Sequence, residues 1–244
     1  MIFQLTELEY NVFLILTLVL VAFKLGLIIF LGKKIYEHKR ETGEFSFGFV
    51  FGVFVLIICL FFSRIIYIYF DFVLTKFNSE VYHLMPNILM WKLGTMFSTM
   101  GYAIFIFITD RKILGFKLRG LIAYLLIGIV IIQLVYPVST PEDFQTIAML
   151  DLFSNAIAII IPILFIYLAR EKSPYRLASL AIAIGVILYA IGSNMIVEPI
   201  LVALIDVLGS NIRLVFYFFS LILKVSGLVL FTYGVTQFAI KFSR

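Results

Sequence analysis

The chain has 244 residues, 63% of them hydrophobic and only 14% charged, with a mean hydropathy of +1.14 and a net charge of +5. A soluble domain carries about 25% charged residues, so these values exclude an ordinary soluble globule and predict an all-α, multi-pass protein of the lipid bilayer. The single cysteine, Cys59, excludes an intrachain disulfide. The two histidines, His38 and His83, are too far apart in sequence for a multi-histidine haem or zinc centre, and the positive charge is placed for topology rather than for nucleic acid.

Seven charge-poor stretches follow in chain order: 8–32, 46–71, 84–109, 120–138, 144–169, 175–205 and 212–240. Each is long enough to read as a transmembrane helix. The N-terminus carries Glu7 and Glu9 and no Lys or Arg. That is the reverse of a signal-peptide leader, so the first helix is expected to stay uncleaved. Pro162 and Pro199 predict kinks in the fifth and sixth helices. Four loops or tails on one side hold Lys33, Lys34, Lys39, Arg40, Arg111, Lys112, Lys117, Arg119, Arg170, Lys172, Arg176, Lys241 and Arg244. The other side holds only Lys76 and Arg213. Thirteen cations against two place the N-terminus outside and the C-terminus inside the cell membrane. The loops are short, so 1–244 reads as one transmembrane domain. Any signal is expected to pass to a separate cytoplasmic signalling partner at the basic inner loops.

Sliding the chain by 133 residues aligns helices two and three with helices six and seven. Ser46 falls on Ser179, Gly52 on Gly185, Ile58 on Ile191, Gly94 on Gly227, Thr99 on Thr232 and Gly101 on Gly234. The seven-residue spacing of the Gly94 and Gly101 pair, and of its counterpart, puts both glycines on one helix face, where backbones can approach closely. The pattern reads as a parallel 3+1+3 repeat, with halves 8–109 and 144–240 and helix four, 120–138, as linker. The other reading is a chance alignment of glycine-spaced apolar helices.

Lys24, Arg64, Lys92 and Lys224 lie inside apolar stretches, with Asp151 and Glu198 as the deep acids. Lys224 is eleven residues beyond Arg213. At ~1.5 Å per residue this is ~16 Å deep, near the middle of a ~30 Å hydrocarbon core and beyond full snorkelling. An ionisable residue at that depth is a functional-site candidate. Arg64, Lys92, Asp151 and Glu198 fall seven or eight residues from their outer helix ends, with Asn155 and Asn194 near the same layer and Trp91 beside Lys92. One reading is a polar pocket in the outer half of the bundle, with Arg64, Trp91, Lys92, Asp151, Asn155, Asn194, Glu198 and Lys224 binding an anionic or lipid-derived ligand. The other is a set of structural ion pairs, Arg64–Glu198 and Lys92–Asp151, clamping helices. Lys24, in the inner half, is expected to snorkel or meet a lipid phosphate. No Ser-His-Asp set, paired catalytic carboxylates, phosphate loop or metal-spaced cluster occurs in the sequence, so no enzymatic activity is expected.

Three resemblances rest on these residues. The pattern 227-Gly-x-x-x-Phe-x-x-Gly-234 and the basic entry to helix six at Arg176 resemble seven-helix sensor modules of prokaryotic signalling proteins, which implies a receptor-like sensor. The 3+1+3 arrangement, with Pro162 and Pro199 in the second half, resembles sugar carriers and implies transport of a small solute. Lys224 in mid-helix seven, with Ser220 four residues before it, is similar to the seventh helix of microbial rhodopsins and implies a retinal Schiff base on Lys224. Helix three here offers Lys92 where those proteins carry a carboxylate counter-ion.

Overall fold

The computed structural model describes residues 6–43, 48–170, 175–196 and 212–242, with the side chains of 42, 151–158 and 238–242 outside the description. The described residues are helical, without strands. The α-helices are α1 (Glu7–Thr42), α2 (Phe49–Ile68), α3 (Asn87–Lys112), α4 (Leu121–Val135), α5 (Pro141–Ala158), α6 (Ile160–Arg170), α7 (Arg176–Asn194) and α8 (Ile212–Phe242). A π-helical turn, Tyr69–Leu74, extends α2. Among the described residues, five helices are long and apolar enough to cross a membrane. The α4 and α6 helices are apolar but shorter.

Local chemistry sets the helix ends. Before α1, Thr6 and Glu9 form a reciprocal cap: the Thr6 amide and hydroxyl donate to the Glu9 carboxylate at 2.9 Å each, and the Glu9 amide donates to the Thr6 hydroxyl. Thr140 and Asp143 repeat this at α5, with Pro141 at the first helical position. Hydrogen bonds from the Ser139 and Thr140 amides hold the Asp143 carboxyl below the usual carboxylate range. Pro137 follows the last turn of α4. The fifth apolar stretch is not one continuous helix. It breaks at Ile159, between α5 and α6, because Pro162 has no amide proton to donate back one turn and its ring crowds the carbonyl there.

The chain divides into two compact units, one spanning residues 24–158 and the other combining 5–23 with 159–244. In the first unit consecutive helices run antiparallel. Gly32 faces Phe54, and the Lys24 ammonium reaches the Leu60 carbonyl, which pairs α1 with α2. Gly52 meets Ile108, Gly101 meets Cys59 and Gly94 meets the Tyr67 ring, which fixes one register between α2 and α3. Lys92 of α3 reaches the end of α4, and Gln133 of α4 donates to the Ile147 carbonyl of α5. A hydrophobic core of Phe70, Ile88, Trp91 and Ile147 closes one end, packed against the rings of Tyr67, Tyr82, Tyr136 and Phe144.

In the second unit α7 and α8 are in backbone contact. A methyl group on Gly185 would lie 2.5 Å from the Phe231 amide nitrogen, and one on Gly227 would lie 2.6 Å from the Gly185 carbonyl oxygen. Gly234 is as close to Ala178 and Ile182. Thus the aligned glycines 52 and 185, 94 and 227, and 101 and 234 all face the partner helix in their own pair. The registers differ, however. Gly52 meets position 108, whereas Gly185 meets 227 and 231, the equivalents of 94 and 98 after subtracting 133. A slide of ten to fourteen residues along the partner separates the two pairs. The first turns of α1 and α8 lie side by side and parallel: Glu9 pairs with Arg213, and Phe13 stacks on Tyr217 four residues further along each helix.

Candidate functional site

Each charge inside an apolar helix must find a partner, because hydrocarbon supplies none. Lys24 does not snorkel. It is 2% exposed, and its ammonium donates to the Leu60 carbonyl at 3.0 Å. Arg64 follows on α2, half-buried. Asp71 lies seven residues further on, in the π-helical turn that extends α2. Asp71 escaped sequence reading. The seven-residue spacing, two helical turns on one face, is the signal that could have found it. Single π turns inside α-helices recur at functional positions.

Lys92 ends at backbone. Its ammonium donates to the Tyr136 carbonyl at 2.7 Å and the Leu134 carbonyl at 3.2 Å. These carbonyls belong to the last turn of α4, where acceptors lack intrahelical donors and the helix dipole favours a cation. Trp91 is buried in the hydrophobic core, edge to face with Phe144 at 5.1 Å between ring centroids. Beside it the Tyr67 and Thr95 hydroxyls share a 2.8 Å hydrogen bond, and Thr95 also donates to the Trp91 carbonyl. This end of the first unit is therefore a packed aromatic and hydroxyl network with Arg64 and Asp71 on the α2 side.

The second unit holds Lys224. Its residue is 7% exposed, and its stem runs over Gly192 of α7, where a methyl group would lie 3.2 Å from Lys224 Cγ. One turn earlier the Ser220 hydroxyl donates to the Gly192 carbonyl at 2.6 Å. The absence of a side chain at Gly192 is what lets α8 approach and the lysine stem lie flat against α7. Asn194 is exposed and donates to the Ala190 carbonyl of its own helix at 2.9 Å. Asp151 and Asn155 lie on α5 with side chains outside the described residues, and Glu198 and Pro199 lie outside them altogether.

Arg213 escaped sequence reading because it was counted as an outer-loop cation. It is 8% exposed and pairs with Glu9 at 3.6 Å, across 204 residues of sequence. Among the described residues no group of three His, Cys, Asp or Glu side chains is placed to hold a metal ion. A buried amine beside a hydroxyl and a helix backbone can hold an anionic group as an ammonium, or carry a carbonyl compound covalently as an imine. No family model matches this chain, and no curated protein or solved structure is significantly similar to it.

Proposed function

We propose that the chain is a receptor-like membrane sensor of seven spans, with its N-terminus outside, whose ligand is an external or lipid-derived anion bound at Lys224. The observation that carries this reading is the burial of Lys224 halfway along an apolar helix, with its stem seated on Gly192. The alternation of helix direction within the first unit, and the parallel starts of α1 and α8, support an odd number of crossings from α1 to α8. In that count α5 and α6 form one interrupted span. A signal would leave through the basic loops to a separate partner.

The test uses the purified full chain. Lys224→Met replaces the amine with an apolar chain of similar length. It should leave the melting temperature unchanged or higher while abolishing a ligand mass that copurifies with the native protein. A collapse of melting temperature in Lys224→Met would assign the lysine to structure instead. Visible absorption after adding retinal, lost in Lys224→Arg, would replace the anionic ligand by a photoreceptor chromophore.

The second reading, a 3+1+3 carrier of a small solute, draws on the three aligned glycines that face the partner helix in both pairs. Net solute flux in vesicles without a retained ligand would favour it. Orientation has its own check. A C-terminal tag should resist protease in right-side-out vesicles and an N-terminal tag should be cut. The reverse result would overturn the topology.

A further inference from the structure

The loop between α3 and α4 is built around one buried acid. Asp110 is 1% exposed, and its carboxylate accepts hydrogen bonds from the Leu118 amide at 3.0 Å and the Gly120 amide at 2.8 Å. Its backbone carbonyl also accepts from the Phe116 amide at 2.8 Å. These bonds hold Phe116 and Arg119 in the left-handed region, at φ 62° and 51°, a conformation that non-glycine residues keep only where the surroundings enforce it. Asp110 is the sole acid between Glu80 and Glu142, and its charge is turned inward onto backbone amides. Arg111, Lys112, Lys117 and Arg119 are left exposed, four cations within nine residues and without an acid among them.

Apolar surface borders the cations directly. Phe116, Leu121 and Tyr124 are exposed, and both aromatic rings lean edge-on against Phe107. Aromatic rings at the edge of an apolar helix mark the headgroup level of a bilayer, and cations within a turn of it sit at the depth of lipid phosphates.

We infer that the 110–120 loop is a preformed binding site for anionic phospholipid headgroups, with Asp110 as its positioning residue. Charge complementarity and the flanking lipid-level aromatics favour a lipid over an acidic protein, which would not need the adjoining apolar rim. The site rests on the membrane-spanning character of the chain and is independent of the ligand at Lys224.

The experiment places the full chain in phosphatidylcholine nanodiscs and compares motionally restricted spin-labelled phosphatidylglycerol with spin-labelled phosphatidylcholine. Phosphatidylglycerol should be preferred by at least about fivefold, the factor that one cation near an anionic surface supplies. Replacing Arg111, Lys112, Lys117 and Arg119 together with glutamine should bring the preference close to one. These side chains are exposed, so folding is spared. Asp110→Asn separates charge from preorganisation. Added positive charge alone would raise the preference, whereas a loosened loop lowers it, and the lower value is expected. Equal retention of the two lipids by the native chain, no change in the glutamine variant, or a stronger preference in Asp110→Asn would each overturn the inference.

Discussion

Gly227→Ala should destabilise the protein by about 3 kcal/mol, the upper end of what overpacking usually costs. The added methyl would sit 2.6 Å from the Gly185 carbonyl oxygen and 2.7 Å from the Tyr189 amide nitrogen. Both are backbone atoms of α7, so no side chain can swing away and the helices must separate. Separation is costly in a membrane, where helix association rests on close packing and the hydrophobic effect between helices is absent. Gly128→Ala and Gly26→Ala add the same methyl where nothing lies within 4 Å. They should leave stability unchanged or raise it by up to about 1 kcal/mol, because alanine is the better helix former. Equilibrium unfolding of the purified protein in mixed micelles, followed by circular dichroism, makes the comparison. Equal losses at all three positions would mean that α7 and α8 are not in backbone contact.

Arg213→Met should cost about 3 kcal/mol, because it leaves the Glu9 carboxylate largely buried without its cation. The pair is 3.6 Å apart, with side-chain exposures of 9% and 14%. Among the described residues Thr6 would remain to satisfy Glu9, through its amide and hydroxyl. Glu9→Gln combined with Arg213→Met removes both charges and should recover most of the loss. The same unfolding assay closes this double-mutant cycle. Strict additivity of the two single losses would show that the side chains do not interact.

Much of the secondary structure was legible in the chain because hydropathy and helix-breaking chemistry are local. The apolar stretches mark where helices lie, and Pro162 marks the interruption at Ile159. Glycine spacing told which faces of α3 and α8 meet a neighbouring helix, because only a missing side chain permits backbone approach. It could not tell the register. Gly52 and Gly185 are equivalent in sequence yet meet partner positions ten to fourteen residues apart, since register depends on how Tyr67, Cys59 and Ile108 in one pair, and Tyr189 and Phe231 in the other, fill the interface.

The partners of Lys24 and Lys92 were illegible for a different reason. One of the two sequence readings looked for carboxylates, pairing Lys92 with Asp151 and Arg64 with Glu198, and the side chains of both acids lie outside the described residues. The acceptors for Lys24 and Lys92 are carbonyls of Leu60, Leu134 and Tyr136, and every residue carries a carbonyl, so composition gives no hint of which one is used. The Glu9–Arg213 pair joins helix starts 204 residues apart, a proximity that no local pattern encodes. The sequence by itself determined an all-helical chain with membrane-length apolar helices and a lysine deep in the last of them. Only the tertiary structure decided where that lysine lies, against Gly192, because the position of a side chain in a bundle follows from the packing of two helices and not from the periodicity of either.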